Sequence, residues 1–241
     1  MNRFKQFKQA AHQYIQKTQE EEEVIGMVIS GSYVYGQLDK NSDIDIFVIL
    51  HPNCTYRERG NTWMNGIEIE YFKNPPQQIR QYFKTEKSPH TADMLAKGKL
   101  VYENHSIVET LIEEARTIIN TAPNAMSESA IELARYFLDD KFKDLEDALL
   151  NQDRVALNLI QMDIINYAID TFCKLNRIVR TKHKRLYEQL RKINLPFAQL
   201  IQKTLKQPSI ENMITLRRQM DDFLGGKRSK EWQFRSGLEL K

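Results

Sequence analysis

Gly31-Ser32-Tyr33-Val34-Tyr35-Gly36-Gln37-Leu38-Asp39-Lys40-Asn41-Ser42-Asp43-Ile44-Asp45-Ile46-Phe47-Val48 carries more chemistry than any other segment of this chain. The apolar run Val24-Ile25-Gly26-Met27-Val28-Ile29 precedes it and reads as a buried strand that ends sharply at Ser30-Gly31-Ser32. Glycine at that exit lets backbone amides come close to a ligand, and the serine hydroxyl adds a donor. A helix starting near Tyr33 would aim its free amides and positive dipole end at the same point, which makes a phosphate site. Asp43 and Asp45 stand two residues apart at the head of a second strand, Ile44–Leu50. Residues at i and i+2 of a strand share a face, so both carboxylates point the same way. Two close carboxylates repel unless a cation lies between them, and hard oxygen ligands suit Mg²⁺ or Mn²⁺.

Further out, Ile67-Glu68-Ile69-Glu70-Tyr71-Phe72 alternates as a third strand with one acidic face, stopped by Asn74-Pro75-Pro76. If it lies beside the second strand, a third carboxylate joins the pair. Three carboxylates facing a phosphate-binding turn form a two-metal site for displacement at phosphorus. Taken singly the parts are weak: a Gly-Ser pair is usually a turn, and alternating acids commonly mark the wet face of an edge strand. Their order along the chain is what carries the inference.

The rest of the chain divides into a mixed α/β half and an all-helical half. Phe4, Phe7, Ala11, Tyr14 and Ile15 make an apolar stripe, so residues 3–22 read as a helix closed by the acidic run Glu20–Glu23, taken as a solvated face. Short helices are expected at 76–84 and 89–96 and a short strand at 100–102. Helical stripes follow at 106–119, 127–150, 153–177, 182–193, 196–206 and 209–224, with Pro123, Pro196 and Pro208 at their ends. The tail Gly225–Lys230 is expected to be mobile unless Trp232 and Phe234 dock it. Two domains are therefore expected, residues 1–120 and residues 121–241.

Composition narrows the function classes. The chain has 241 residues, 41% hydrophobic and 28% charged, enough for a buried core. No stretch approaches about 18 consecutive apolar residues, so no membrane span is expected. The polar start, Met1-Asn2-Arg3-Phe4-Lys5-Gln6, lacks the apolar region of a secretory signal, and the default compartment is the cytoplasm. Cys54 and Cys173 have no CxxC partner, which excludes a disulfide scaffold and a structural zinc cluster. Residues 1–170 hold 18 Lys/Arg against 26 Asp/Glu, whereas residues 171–241 hold 17 against 6. Such asymmetry fits a polyanionic ligand lying between two lobes, or lobes that partly neutralise each other.

The pattern of apolar strand, Gly31-Ser32, Ser42-Asp43-Ile44-Asp45 and a later acidic strand resembles the nucleotidyltransferase superfamily of the DNA polymerase β type. It is most similar to the small bacterial branch with the aminoglycoside and lincosamide nucleotidyltransferases. The matching motifs span residues 24–75; the helical half is only generically similar. The resemblance implies an α+β fold: a mixed β-sheet with flanking helices, followed by an all-α C-terminal bundle that binds substrate. It implies an enzyme with NTP as co-substrate and two Mg²⁺ ions as cofactors. The β- and γ-phosphates would rest on Gly31 and Ser32. Asp43 and Asp45 would hold both ions and Glu70 one of them, with Glu68 as the runner-up for the third acid. One ion would lower the pKa of an acceptor hydroxyl, the other would bind the leaving pyrophosphate. In some relatives a carboxylate of the helical domain is the general base; here Glu132, Asp139, Asp140, Asp144 and Asp163 are all candidates.

Other residues have competing readings. Trp63 and Tyr71 could stack on a base or pack in a core. His90, at a helix start, could touch substrate but fits a structural role better. Arg177 and His183 have a spacing similar to the HEPN ribonuclease motif, yet Ile178 stands where that motif has a polar residue. Three function classes follow. The favoured one is nucleotidyl transfer to a hydroxyl of a small molecule, such as an antibiotic, with resistance as its consequence. The second is transfer to a protein or a tRNA end, nucleic acid being the less favoured partner. The third is a non-catalytic, antitoxin-like protein that keeps the fold to bind a partner.

Overall fold

The computed structural model describes residues 3–34, 36, 38–86, 89–233 and 235. The chain divides into two compact units, one ending at Thr121 and the other starting at Ala122.

The first unit runs α1 (Arg3–Thr18), β1 (Val24–Ser30), a single 3-10 turn (Gly31–Tyr33), β2 (Ile44–Leu50), β3 (Glu58–Met64), β4 (Ile67–Asn74), α2 (Pro76–Thr85), α3 (His90–Lys97), β5 (Lys99–Glu103) and α4 (Ile107–Asn120). Its sheet has the order β3-β4-β2-β1-β5. β2 and β4 pair in parallel; β1 runs antiparallel to β2 and β5, and β3 to β4. This is the mixed sheet that the motif order implies.

Both sheet faces are covered, so the two central strands read as nearly continuous apolar runs. On one face, Phe7, Ala10, Ala11 and Tyr14 of α1 pack with Ile44, Ile46, Val48 and Ile69. On the other, Phe47 and Ile49 pack with Ile79, Leu95, Val108 and Leu111 from α2, α3 and α4. β1 is buried along its whole length. Its register shifts between Val24 and Gly26, where two steps on β1 oppose one on β2. That bulge lets Ile25 and Val28 serve one core while Val24, Met27 and Ile29 serve the other.

Three expectations need correction here. β3 has no counterpart in the sequence reading, because Glu58-Arg59-Gly60-Asn61-Thr62-Trp63-Met64 shows no apolar alternation and mostly faces solvent. It exists as the outer arm of a hairpin closed by Asn65-Gly66, with φ of 51° and 73°. Positive φ at both central residues is the type I′ geometry that matches strand twist. α1 stops at Thr18 rather than at residue 22, since adding glutamates to a helix C-terminus opposes the macrodipole. Those glutamates are not all idle surface: Glu21 pairs with the buried Lys73 at 2.5 Å, and Glu23 accepts a hydrogen bond from Tyr56. Finally, no α-helix starts near Tyr33 among the described residues. The 3-10 turn is followed by Gly36 at φ 67° and by turn and coil among the described residues up to Asp43.

The second unit is helical: α5 (Glu128–Leu150), α6 (Arg154–Leu175), α7 (His183–Ile193), α8 (Leu195–Lys206) and α9 (Ile210–Phe223). Ser127, Asp153, Asn194 and Ser209 cap four of these helices by accepting backbone N–H bonds. Each such cap contributes about 1 kcal/mol. Phe172 anchors the core, its ring centroid 4.3 Å from that of Phe197 and 5.1 Å from that of Phe223. The segment after α9 is docked rather than loose. Arg228 pairs with Asp139 at 2.9 Å, the Ser229 amide donates to Glu132 at 2.6 Å, and Trp232 packs on Tyr136 with centroids 4.9 Å apart. Phe234 lies outside the described residues. No helix among the described residues is long and apolar enough to cross a membrane.

Candidate active site

The parallel pairing of β2 and β4 sets Asp45 directly beside Glu70, and the antiparallel pairing of β1 and β2 sets Ser30 beside Asp45. The strand exit that carries Gly31-Ser32 therefore opens onto the strand head that carries the acids. Strand alternation puts Asp43, Asp45 and Glu70 on the sheet face of Phe47 and Phe72, whose stacked rings lie 6.4 Å apart just below. One carboxylate oxygen from each of Asp43, Asp45 and Glu70 lies within 4.8 Å of the others, and all three residues are half-buried. Each pair at that separation repels by about 1–4 kcal/mol, depending on the local dielectric. Hard oxygen donors this close fit a divalent cation of the Mg²⁺ or Mn²⁺ type. Glu68, two residues or about 6.6 Å further along β4, is not part of this cluster; it accepts a 2.5 Å hydrogen bond from Asn61. The structure brings Glu70, not Glu68, to the aspartate pair.

Gly31 abuts the same cluster. Its φ is 74°, and a Cβ there would sit 1.9 Å from Asp45 Oδ2. A side chain there would have to displace the Asp45 carboxylate, so backbone and carboxylate share one tight corner. The turn is held from outside: Tyr33 stacks on Phe4 and Phe7 of α1, with centroids 5.8 and 6.1 Å apart. Arg3 donates to the Lys40 carbonyl at 2.5 Å, and the Asp39 amide donates to Ser42 Oγ at 2.7 Å. α1 thus holds both the Gly31–Tyr33 turn and the segment around Lys40 that leads to the acids.

β3 completes the site with residues that the sequence reading did not assign. Arg59 donates to Glu70 Oε1 from Nη2 at 2.6 Å and from Nε at 3.2 Å. Its guanidinium also lies over the Phe72 ring, 4.8 Å from the centroid. Asp43, Arg59, Gly60, Asn61, Glu68 and Glu70 line a cavity of about 510 Å³. Trp63, 64% exposed, pairs with Glu68 across the hairpin and so stands on the acidic face. Tyr71 points to the opposite face and stacks on Tyr14 of α1. A hydrogen bond to Glu58, then burial, pushes its phenol above the ordinary range. Tyr71 is a core residue.

The general-base candidates of the helical unit are mostly committed to structure. Glu132 is lowered below the usual carboxylate range by the Ser229 amide and then by Arg135. Burial alone would raise Asp139, but Lys143, Arg228 and Arg217 outweigh it and hold the group low. Asp163 pairs with Lys141. Asp140 and Asp144 are exposed on α5. The Arg177–His183 pair is not one catalytic face. Arg177 lies beyond the end of α6 at φ 56° and donates to the Pro123 carbonyl, while His183 sits 3.3 Å from Arg180. His90 is exposed at the first position of α3.

Residues 12–107 match the family model described as polymerase beta, nucleotidyltransferase. A solved structure of a nucleotidyltransferase-like protein from Exiguobacterium sibiricum 255-15 superposes on 90% of this chain and 74% of its own. The TM-score is 0.51 and the sequence identity 12%, a likeness of fold. No curated protein matches in sequence.

Proposed function

Since residues 12–107 form a nucleotidyltransferase domain of the polymerase beta superfamily, we propose that this protein transfers a nucleoside monophosphate from an NTP to a hydroxyl group of a small molecule. The observation that carries this reading is the convergence of three carboxylates on adjacent parallel strands beside a glycine whose positive φ and closeness to Asp45 disfavour any side chain. Asp43 and Asp45 are the residues that would hold Mg²⁺ ions, with Glu70 as the third ligand. Bound there, the ions supply Lewis-acid stabilisation of phosphoryl oxygens and lower the pKa of an acceptor hydroxyl. The amides of the Gly31-Ser32 turn and the Ser32 hydroxyl bind the β- and γ-phosphates. The acceptor oxygen then attacks the α-phosphorus, the bond to the bridging oxygen breaks, pyrophosphate leaves and the hydroxyl proton passes to solvent. The half-buried cluster above the Phe47–Phe72 rung limits water on one side of the reacting centre.

A second reading, a nucleic-acid acceptor, draws on residues 174–192. That stretch holds eight Lys/Arg and one acid, Glu188. The buried Leu186 and Leu190 turn the opposite side of α7, with Lys184, Arg185, Arg191 and Lys192, to solvent. One experiment tests both readings: the protein with each α-labelled NTP, Mg²⁺ and a panel of aminoglycosides, lincosamides and total tRNA. Label on a small molecule supports the first reading and label on tRNA the second. No label on any acceptor with any NTP counts against transfer.

A further inference from the structure

Arg59 reaches the acidic cluster from outside it. It sits on the edge strand β3, opposite Phe72, and leans along the sheet face so that two N–H groups converge on one oxygen of Glu70. The Phe72 ring under the guanidinium fixes its height above the sheet. The Arg59 side chain is 69% exposed, and an ion pair so open to water is weak and exchanges readily. Arg59 thus offers positive charge to the same carboxylate that completes the cation cluster, from a position that lines the cavity.

We propose that Arg59 is an exchangeable counter-ion: it neutralises Glu70 when no cation is present, gives Glu70 up when a divalent cation binds, and then takes an α-phosphate oxygen of the NTP. The placement follows from the sheet. Gly31 leaves β1 and Glu70 sits on β4, two strand spacings or about 10 Å away. A triphosphate whose terminal phosphates rest on the Gly31-Ser32 turn extends its α-phosphate across β2 toward Glu70, on the side where the guanidinium stands. A planar guanidinium matches the geometry of a phosphate better than an ammonium does. This rests on the nucleotidyltransferase reading for the ligand, but not for the cation.

The exchange predicts two shifts of opposite sign from one variant, which a merely structural role would not produce. In Arg59→Ala, Mn²⁺ alone binds tighter, by about threefold or more, because a neighbouring positive charge is gone. In the same variant, NTP binding measured with saturating Mn²⁺ weakens by about tenfold or more, the loss of a charge-assisted contact. Arg59→Lys restores the Mn²⁺ affinity to near that of the wild type and the NTP affinity only in part. Isothermal titration with Mn²⁺, then with each of the four NTPs, reads all of this without turnover. Unchanged or weaker Mn²⁺ binding in Arg59→Ala, or NTP affinity within twofold of wild type, overturns the proposal. A wild-type protein that binds Mn²⁺ but no NTP refutes the transferase reading itself, and the Mn²⁺ arm still reports on the counter-ion.

Discussion

Replacing Gly31 by alanine separates two physical effects that coincide in most glycine substitutions. A left-handed backbone at φ 74° costs an L-residue about 1–2 kcal/mol. The new methyl would also stand 1.9 Å from Asp45 Oδ2, where ordinary contact begins near 3.4 Å, so the carboxylate must yield by about 1.5 Å. Misplacing a reacting group by about 1 Å costs on the order of 100-fold in rate. Gly36 supplies the matched control: its φ is 67°, and a Cβ there meets nothing within 4 Å. Both Gly31→Ala and Gly36→Ala should therefore lose about 1–2 kcal/mol, read as a melting temperature lower by roughly 2–8 °C without divalent cation. Only Gly31→Ala should also lose Mn²⁺ binding and about 100-fold or more in transfer rate. Melting curves, Mn²⁺ calorimetry and labelled-NTP transfer measure the three quantities. If Gly31→Ala matches Gly36→Ala in cation affinity and rate, the packing of the turn against Asp45 has no bearing on the site.

Glu70→Gln should abolish transfer and weaken Mn²⁺ binding, whereas Glu68→Gln, outside the cluster and bonded to Asn61, should stay within about tenfold of wild-type rate; equal losses would return the third acid to an open choice. Phe172→Ala should destabilise the helical unit by about 3–5 kcal/mol in urea melts, since it removes the ring between Phe197 and Phe223. Burial, with Asp170 adding and Arg180 partly offsetting, pushes the Cys173 thiol from 9.0 up to about 11. The folded state then holds its proton longer than the unfolded state. The resulting stability is full below pH 9 and is lost as pH rises toward about 11. Cys173→Ala should flatten that part of the stability–pH profile; an unchanged slope would assign it to other groups.

The elements that frame the site were legible because their signals were local. β1, β2 and β4 announce themselves through apolar runs, and Asp43 and Asp45 through two-residue spacing that survives in the folded sheet; the same spacing offers Glu68 and Glu70 alike, and only the family resemblance chose Glu70. The helices of the second unit follow from long stripes and polar caps. What stayed hidden depends on partners distant in sequence. β3 gains its place from hairpin pairing rather than from burial, so its own residues carry no apolar pattern. The signal that could have found it was Asn65-Gly66. A two-residue turn there places Met64 opposite Ile67, hence Asn61 opposite Glu70 and Arg59 opposite Phe72, which puts a cation next to the third acid. The expected helix after Ser32 failed for a local reason: Gly36 takes a positive φ, and Asp39 and Ser42 form a turn of their own. The acidic run Glu20–Glu23 looked like surface because Lys73 and Tyr56, the partners of Glu21 and Glu23, lie some 30 to 50 residues further along the chain.

The claim on which the rest depends is that Asp43, Asp45 and Glu70 together bind a divalent cation. Crystals grown with Mn²⁺ and a non-hydrolysable NTP analogue, measured at the manganese edge, test it directly. The expected result is an anomalous peak about 2.0–2.2 Å from carboxylate oxygens of Asp43 and Asp45, within reach of Glu70, with the terminal phosphates on the Gly31-Ser32 turn. Full nucleotide density bound elsewhere, with no anomalous peak between the three carboxylates, would contradict it.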